Sequence, residues 1–429
     1  MKSYPLEGVD SIFSSENETF ASVGVKINPS LEGINFTEEL LSEKTGSGIK
    51  KLLSLEFCWL PAEIVEAYNS ASTEEKKREV LVGKVYSNCR LNCKGCFAKQ
   101  PDLFKGHPLI HPEKIIDLIE ESVKNLGTKT VKYLGPTEFF RDKDVFNWLD
   151  RLDALGAVIS IFVKDPLFGD DEEVEKMFGD QDFHTAEQLV AKLAQYRNLR
   201  ILFNFRSFDE DLTNDLVSGG FSGKENYAGN YKAVQTRALQ FFYEYFAKRE
   251  MDKSKEARLV IINAPLTEET VDEAFGVFKY FLDRGVITCS APSMKSGCGR
   301  GLYKGMKKSF LKKLHAQYAK IFKYSLQRGL ISNEYLEKYG PSPYAGIGHC
   351  AQLCSGLLIR ETGQLLRCPG ADHDEWRDNV SPMDLFEKGI TWAWQQTRNY
   401  TEKSRVNIGC LAKAKIFTKE FDSEVLKKI

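Results

Sequence analysis

The sequence lacks an excess of charge of either sign, and no apolar run in it approaches the length of a transmembrane helix. Its 59 basic residues are offset by 60 acidic residues, which leaves a net charge of -1. Without a global electrostatic field, neither nucleic acid nor an anionic membrane is an expected partner. The opening residues, MKSYPLEGVD, do not contain the apolar stretch of a secretory signal, so we expect a cytoplasmic location.

Evenly scattered cysteines, typical of secreted disulfide frameworks, are also missing. Most of the ten cysteines fall in two tight groups. Grouped thiols in a chain of this size indicate metal-bound thiolates in a reducing compartment. With 429 residues, 42% of them hydrophobic, the chain can bury one large core and a smaller second module.

From Val82 onward, short apolar runs rich in β-branched residues alternate with amphipathic helical segments. This alternation is typical of repeated βα units on a parallel sheet. Six strands are predicted: VGKVYSN ending at Asn88, TVKYLG, AVISIFVKD, LRILFNF, RLVIINA and VITCSA. Helices are predicted at residues 111–126, 145–155, 185–196, 231–249 and 268–284. The predicted fold is therefore α/β, a partial (βα)6 TIM-like barrel with its functional loops at the carboxyl ends of the strands.

Three parts of the chain are predicted: an N-terminal extension (1–80), the barrel (81–297) and a helical linker with a small C-terminal domain (298–429). The linker contains an amphipathic helix with apolar residues at Phe310, Leu314, Tyr318, Ile321 and Phe322. Its other face is rich in lysine: Lys307, Lys308, Lys312, Lys313, Lys320 and Lys323. We interpret this basic face as solvated, with a cradle for an acidic substrate as the alternative.

Cys89, Cys93 and Cys96 follow the first predicted strand directly, with the spacing C-x3-C-x2-C. Three thiolates on three corners of a four-iron cluster leave one iron without a protein ligand, which is the open position that substrate coordination needs. A structural zinc site would need a fourth ligand nearby, and the nearest candidate, His107, lies eleven residues after Cys96. The spacing of bacterial ferredoxins is not matched either. The motif favours an open iron–sulfur cluster over zinc or a simple electron carrier.

This motif after the first strand of a βα barrel resembles the radical S-adenosylmethionine (SAM) superfamily, over about residues 80 to 295. The resemblance implies a [4Fe–4S] cluster on the three cysteines, with SAM chelated at the open iron through its amino and carboxylate groups. Reductive cleavage of SAM would then give a 5′-deoxyadenosyl radical that abstracts a substrate hydrogen. One departure is Gly95, since the family often has a large apolar residue before the third cysteine. Phe97 is the residue expected to cover the adenine instead.

Further SAM contacts are expected at the ends of later strands. Gly135-Pro136-Thr137-Glu138 is similar to the family's glycine-rich motif that grips the SAM amino group. Asn204, Arg206 and Ser207 resemble its ribose motif and offer hydrogen-bonding groups to a ribose and a carboxylate. Asn263 and Ser290 are expected to contact adenine through the backbone. Ordinary polar strand ends remain the alternative for these residues.

The second cysteine group comprises Cys350, Cys354 and Cys368, with Cys410 further on. A strand, a turn at Thr362-Gly363 and a second strand predict a β-hairpin that returns Cys368 to Cys354. The spacing resembles the auxiliary-cluster hairpin of SPASM and twitch domains and implies a second [4Fe–4S] cluster. Cys410 is the expected fourth ligand and Cys298 the alternative. An open iron that binds substrate, and a structural zinc on the four thiols, stay open.

Since an auxiliary cluster can accept an electron from a substrate radical, we predict an oxidation or crosslinking of a peptide or small molecule. Epimerisation with Cys289 or Cys298 as hydrogen donor, radical rearrangement, and a non-catalytic iron–sulfur or zinc scaffold remain alternatives. Cys58 is interpreted as buried packing. The expected redox partner is an electron donor such as flavodoxin or ferredoxin.

Overall fold

The computed structural model describes residues 52–81, 83, 89, 91–96, 107–218, 230–248, 257–346, 352–370, 380–397 and 416–429. They form a mixed α/β fold on an eight-stranded sheet with the strand order β6-β5-β4-β3-β2-β1-β7-β8. The strands are β1 Ser54–Trp59, β2 Thr130–Pro136, β3 Val158–Val163, β4 Leu199–Asn204, β5 Leu259–Leu266, β6 Ile287–Pro292, β7 Gly356–Ile359 and β8 Leu365–Leu366. Every neighbouring pair is parallel except β7 with β8.

Helices connect and cover these strands. In chain order they are α1 Ala62–Asn69, α2 Glu74–Val80, α3 Pro112–Leu126, α4 Val145–Ala154, α5 Asp171–Phe178, α6 Ala186–Leu193, α7 Glu210–Ser218, α8 Tyr231–Phe242, α9 Ala274–Leu282, α10 Gly299–Lys304, α11 Lys308–Gln327, α12 Asn333–Tyr339, α13 Gln352–Ser355, α14 Pro382–Gln396 and α15 Lys419–Leu426. Gly389, with φ of 81°, interrupts the helical backbone within α14. No helix in the described ranges is long and apolar enough to cross a membrane.

The five later strands of the predicted barrel are confirmed within one or two residues of their predicted bounds. The prediction of VGKVYSN as the first strand is not tested, because most of this segment lies outside the described residues. The strand that pairs with β2 is β1, within residues 1–80, which we had predicted to be an extension outside the barrel. That part of the prediction is corrected: SLEFCW is fully buried in the sheet between β2 and β7.

The helix boundaries follow local capping signals. Helix α3 starts after His111, whose ring nitrogen accepts from the Glu113 backbone N–H, and it ends at Gly127 with φ of 70°. Helix α6 starts with a capping box between Thr185 and Gln188. The helix predicted over 231–249 is α-helical only as far as Phe242, because residues 243–248 form a π-helical segment. Helices α5 and α7 were missed by the sequence prediction.

The two faces of the sheet have different neighbours. On β5, Leu259 and Ile261 belong to the large core under the helices, whereas Val260 and Ile262 pack with residues of the neighbouring strands on the inner face. This inner face is mainly apolar: Cys58, Leu134, Phe162, Leu202, Val260, Ile262, Ile287, Cys289, Leu358 and Leu366. The buried position of Cys58 confirms its interpretation as packing.

The C-terminal part of the chain pairs with β6 and with β1, the two ends of the run of strands β1 to β6. Ala345 forms an antiparallel bridge with Ser290 of β6, and β7 pairs with β1. The predicted hairpin is confirmed by the antiparallel pairing of β7 with β8 and by the turn at Gly363, where φ is 76°. The amphipathic linker helix is α11, which buries the predicted apolar residues. Its lysines are exposed, except Lys313, which is half-buried and forms an ion pair with Asp272, so the solvated interpretation holds.

Candidate functional site

The cysteine loop is held at the carboxyl ends of the parallel strands. The Asn92 and Lys94 backbone N–H groups donate to the C-terminal carbonyls of helix α7, at 2.8 and 2.9 Å. The Arg206 guanidinium, just beyond β4, donates to the Lys94 carbonyl at 3.1 Å. The Cys298 backbone N–H donates to the Cys96 carbonyl at 2.9 Å, which ties the loop to the segment after β6. The loop therefore lies where parallel barrels place their chemistry.

The glycine at position 95 has a steric reason in this chain. Its φ is 75°, in the left-handed region that favours glycine. A Cβ on Gly95 would lie 2.3 Å from Leu302 Cδ1. Leu302 of helix α10 thus occupies the space into which a larger residue before the third cysteine would project.

Three charged side chains from successive strand ends surround the cysteines. The Cys89 sulfur lies 4.0 Å from Glu138 Oε1, two residues after β2. Lys164, directly after β3, hydrogen-bonds to Cys93, and Arg206 lies within electrostatic range of Cys93 and Cys96. The structure therefore brings Glu138 and Arg206 together, as predicted. Lys164 was missed, although its place at the end of a predicted strand could have indicated it.

Desolvation dominates the electrostatics of this group. It raises the pKa of Glu138 well above its usual range, and the neighbouring Asp165 and Cys93 add to that shift. It also lowers the pKa of both Lys164 and Arg206. The pKa of the Cys89 thiol is raised for the same reason and by the charges of Glu138, Cys93 and Cys96. Each of these groups therefore gains from a ligand that supplies the opposite charge.

The site has polar atoms with unmet hydrogen-bonding capacity. Arg206 is 3% exposed, yet its Nε and Nη1 have no hydrogen-bond partner among the described residues. The Asn204 amide donates to the Ile262 and Ala264 carbonyls, but its Oδ1 has no partner within the same ranges. Because buried polar groups are almost always hydrogen-bonded, these atoms indicate a bound polar ligand. Two cations and a carboxylate match the carboxylate and ammonium of an amino acid.

A buried network of ion pairs holds together the chain segments that carry Glu138 and Lys164. The Arg141 guanidinium makes two hydrogen bonds to Asp165, at 2.5 and 2.7 Å, and a third to Glu173 at 2.9 Å. Arg141 lies three residues after Glu138, and Asp165 directly follows Lys164. The network therefore joins the two chain segments that carry opposite charges into the site.

Other predicted SAM contacts are not brought to this group. The Ser207 hydroxyl donates to the Glu273 carboxylate at 2.7 Å, so it is used in a hydrogen bond within the protein. Asn263 and Ser290 are register partners on the sheet face opposite to Ile262 and Cys289, and their side chains point away from the inner face. Both backbone groups of Ser290 pair with Ala345, which occupies the groups expected to contact adenine. Phe97 lies outside the described residues. Gly135 is the penultimate residue of β2 and has φ of 111°, a conformation that favours glycine.

Lys232 gives a pH-dependent prediction. It is 5% exposed, donates to the Ser207 carbonyl at 2.8 Å, and desolvation lowers its pKa from 10.5 to about 7. Between these two pH values the unfolded chain binds more protons than the folded chain, so this lysine makes stability rise with pH and reduces it toward pH 7. We expect Lys232→Met to remove that rise, measured as urea midpoints at pH 7 and 9. The exposed Lys320→Met should leave the slope unchanged; an unchanged slope in Lys232→Met would contradict the assignment.

No set of three or more His, Cys, Asp or Glu side chains in the described part of the chain is arranged to hold a single metal ion. The thiols of a four-iron cluster bind different irons, so they do not have to converge on one ion.

The second cysteine group is described only in part. Cys350, Cys410 and the Cys354 side chain lie outside the described residues, whereas Cys368 is buried just after β8. Leu358 pairs with Leu366, and continuing this register by two residues places Cys368 beside Gly356. The Arg367 guanidinium donates to the Gly356 carbonyl at 3.1 Å, in agreement with that register. The Cys298 backbone N–H donates a hydrogen bond to the loop of the first cysteine motif, which lies at the opposite end of the strands from Cys368. This position disfavours Cys298 as a ligand of the second group.

The fold and the site together define a mostly parallel, open α/β barrel with a three-cysteine loop at its mouth. No protein-family model and no curated protein matches the chain. Among solved structures, the chain is similar to native anSMEcpe with bound AdoMet, with a TM-score of 0.47 and 12% identity over 87% of this chain and 95% of that chain.

Two further similar structures are of SuiB from Streptococcus suis. With SuiB bound to S-adenosylmethionine the TM-score is 0.45 and the identity 15%, over 80% of this chain and 66% of that chain. With SuiB bound to precursor peptide SuiA the values are 0.44 and 13%, over 88% and 69%. Since TM-scores below 0.5 at these identities establish no shared activity, the function has to follow from the residues of the site.

Proposed function

We propose that this chain is a radical SAM enzyme. The observation that carries the proposal is the convergence of Glu138, Lys164 and Arg206 on the C-x3-C-x2-C loop, with buried Arg206 atoms that have no partner in the described ranges. A carboxylate and two cations beside three thiols suit a cluster-bound amino acid, whose ammonium and carboxylate need opposite charges nearby. A zinc site or a simple electron-transfer site does not require these three charged side chains.

Cys89, Cys93 and Cys96 would hold the [4Fe–4S] cluster. When bound, the cluster supplies one electron to SAM, which splits into methionine and a 5′-deoxyadenosyl radical able to abstract a substrate hydrogen. Glu138 would accept hydrogen bonds from the SAM ammonium, which returns this carboxyl to its ionised form. Lys164 and Arg206 would bind the carboxylate, and Asn204 Oδ1 would accept from a ribose hydroxyl.

The finer proposal is an oxidation or crosslinking of a peptide or small molecule, with a second [4Fe–4S] cluster as electron acceptor. The β7–β8 hairpin supports it, because Cys354 and Cys368 lie at the amino ends of β7 and β1, opposite to the three-cysteine loop. The four residues of β7 separate the two ends by roughly 13 Å. The apolar inner face between them would exclude water from a substrate radical.

Epimerisation remains the second candidate, since the Cys289 thiol is buried on that same inner face. A soluble electron donor such as flavodoxin or ferredoxin would reduce the first cluster.

The test is product formation by the anaerobically reconstituted full chain. We expect 5′-deoxyadenosine to appear in liquid chromatography only when both SAM and dithionite are present. Omission of either reagent gives the background level. The absence of 5′-deoxyadenosine above this background, in protein that carries iron and sulfide, would leave only the scaffold alternative.

A further inference from the structure

Gln352 has a buried side-chain amide whose polar atoms are unsatisfied within the described part of the chain. Its side chain is 3% exposed, and neither Nε2 nor Oε1 has a partner among the described residues. An unsatisfied buried amide costs on the order of 1–3 kcal/mol, so such a group in a folded protein requires an explanation.

The amide lies where the side chain of residue 356 would be. A Cβ added to Gly356 would lie 2.3 Å from Gln352 Cδ, 2.4 Å from its Oε1 and 2.5 Å from its Nε2. Gly356 is therefore required for the Gln352 amide to pack against the first residue of β7.

The same position is next to Cys368. The paired part of the hairpin ends at Leu358 and Leu366, and continuing this register by two residues brings Cys368 opposite Gly356. Side chains of such neighbours project to the same face of a sheet, with Cβ atoms about 4.5–5.5 Å apart. The Gln352 amide fills the Gly356 position, so on that continued register it lies on the same face of the hairpin as the Cys368 side chain.

We propose that the Gln352 amide donates a hydrogen bond to a sulfur of the auxiliary cluster held by Cys368, and thereby raises the reduction potential of that cluster. The inference rests on the second-cluster part of the proposed function. Reduction adds one electron and makes the cluster sulfurs more negative, so an N–H donor stabilises the reduced form more than the oxidised form. Gln352 is then a positioning residue of the cluster.

The experiment uses the full chain with Cys89, Cys93 and Cys96 replaced by alanine, so that only the auxiliary cluster is reconstituted. Gln352→Met is added to this background, and Gln364→Met in the turn of the same hairpin is the matched control. Midpoint potentials are measured by dithionite titration followed by electron paramagnetic resonance. We expect Gln352→Met to disfavour reduction by about tenfold, a shift of about 59 mV to more negative potential for a one-electron couple. Gln364→Met should match the parent.

Two outcomes would overturn the inference in different ways. If Gln352→Met keeps about four irons and the parent potential, the hydrogen bond is absent while the second cluster stands. If the parent itself holds no iron, both the second cluster and the inference fall, whereas SAM cleavage by the unsubstituted chain is unaffected.

Thermal unfolding of the cluster-free chain separates a tuning role from a merely structural one. The amide has no partner among the described residues, so Gln352→Met should be at least as stable as the parent in the absence of the cluster. A clear loss of stability would show that Gln352 has a structural hydrogen bond, and would contradict the proposal.

Discussion

Replacing Cys93 with alanine is expected to abolish formation of 5′-deoxyadenosine and to remove about four irons per chain. A four-iron cluster with one open corner needs all three thiolates, so two cannot hold it in the geometry that binds SAM. The Cys93 thiol also hydrogen-bonds to Lys164, and its loss leaves that desolvated cation without this partner. Product is measured by liquid chromatography, and iron and sulfide by colorimetry.

Cys58→Ala is the matched control for the Cys93 substitution. It also removes a cysteine thiol, one that is buried on the inner face of β1 and packs against Leu134 and Leu358. We expect it to keep the full iron content and SAM cleavage. Equal iron and product in Cys93→Ala and the unsubstituted protein would rule out the proposed role of the loop.

Replacing Arg141 with methionine is expected to lower the free energy of unfolding by about 3–5 kcal/mol. Arg141 is 6% exposed, and its loss leaves the Asp165 and Glu173 carboxylates without their cation. Urea unfolding at pH 7.5 measures the loss.

Arg151→Met separates burial from the number of ion pairs. Arg151 has three acidic partners, Glu113, Asp117 and Glu120, compared with two for Arg141, but its side chain is 32% exposed. Exposed ion pairs contribute about 0–1 kcal/mol because water screens them. A loss in Arg141→Met no larger than that in Arg151→Met would show that the network behind Glu138 is not stabilising.

Local signals predicted much of the sheet. TVKYLG, AVISIFVKD and LRILFNF contain continuous apolar and β-branched runs, and the helices between strands begin and end with recognisable caps such as Pro112 and Gly127. The strand beside β2 is SLEFCW, whereas most of the predicted first strand, VGKVYSN, lies outside the described residues. Pairing with β2, more than 70 residues away in the chain, favours SLEFCW and cannot be read from periodicity.

The sequence predicted the chemistry of the candidate site better than it predicted which residues form the site. The spacing of Cys89, Cys93 and Cys96 by itself indicates an open cluster, and Glu138 and Arg206 were predicted because the strand ends that carry them resemble motifs of the radical SAM superfamily. Ser207 was predicted to contact SAM, but its hydroxyl donates a hydrogen bond to Glu273. Lys164 was overlooked because a lysine after a strand is unremarkable until its distance to a cysteine is known.

The sequence by itself determined which residue types can bind metal, where most strands and helices form, and which end of the strands carries the loop, because these depend on neighbours within a few residues. Only the tertiary structure decided that SLEFCW joins the sheet, that Lys164 and Arg206 meet the same thiols, and that Gln352 fills the space over Gly356. Those outcomes depend on contacts between side chains far apart in the chain, which exist only once the whole sheet has formed.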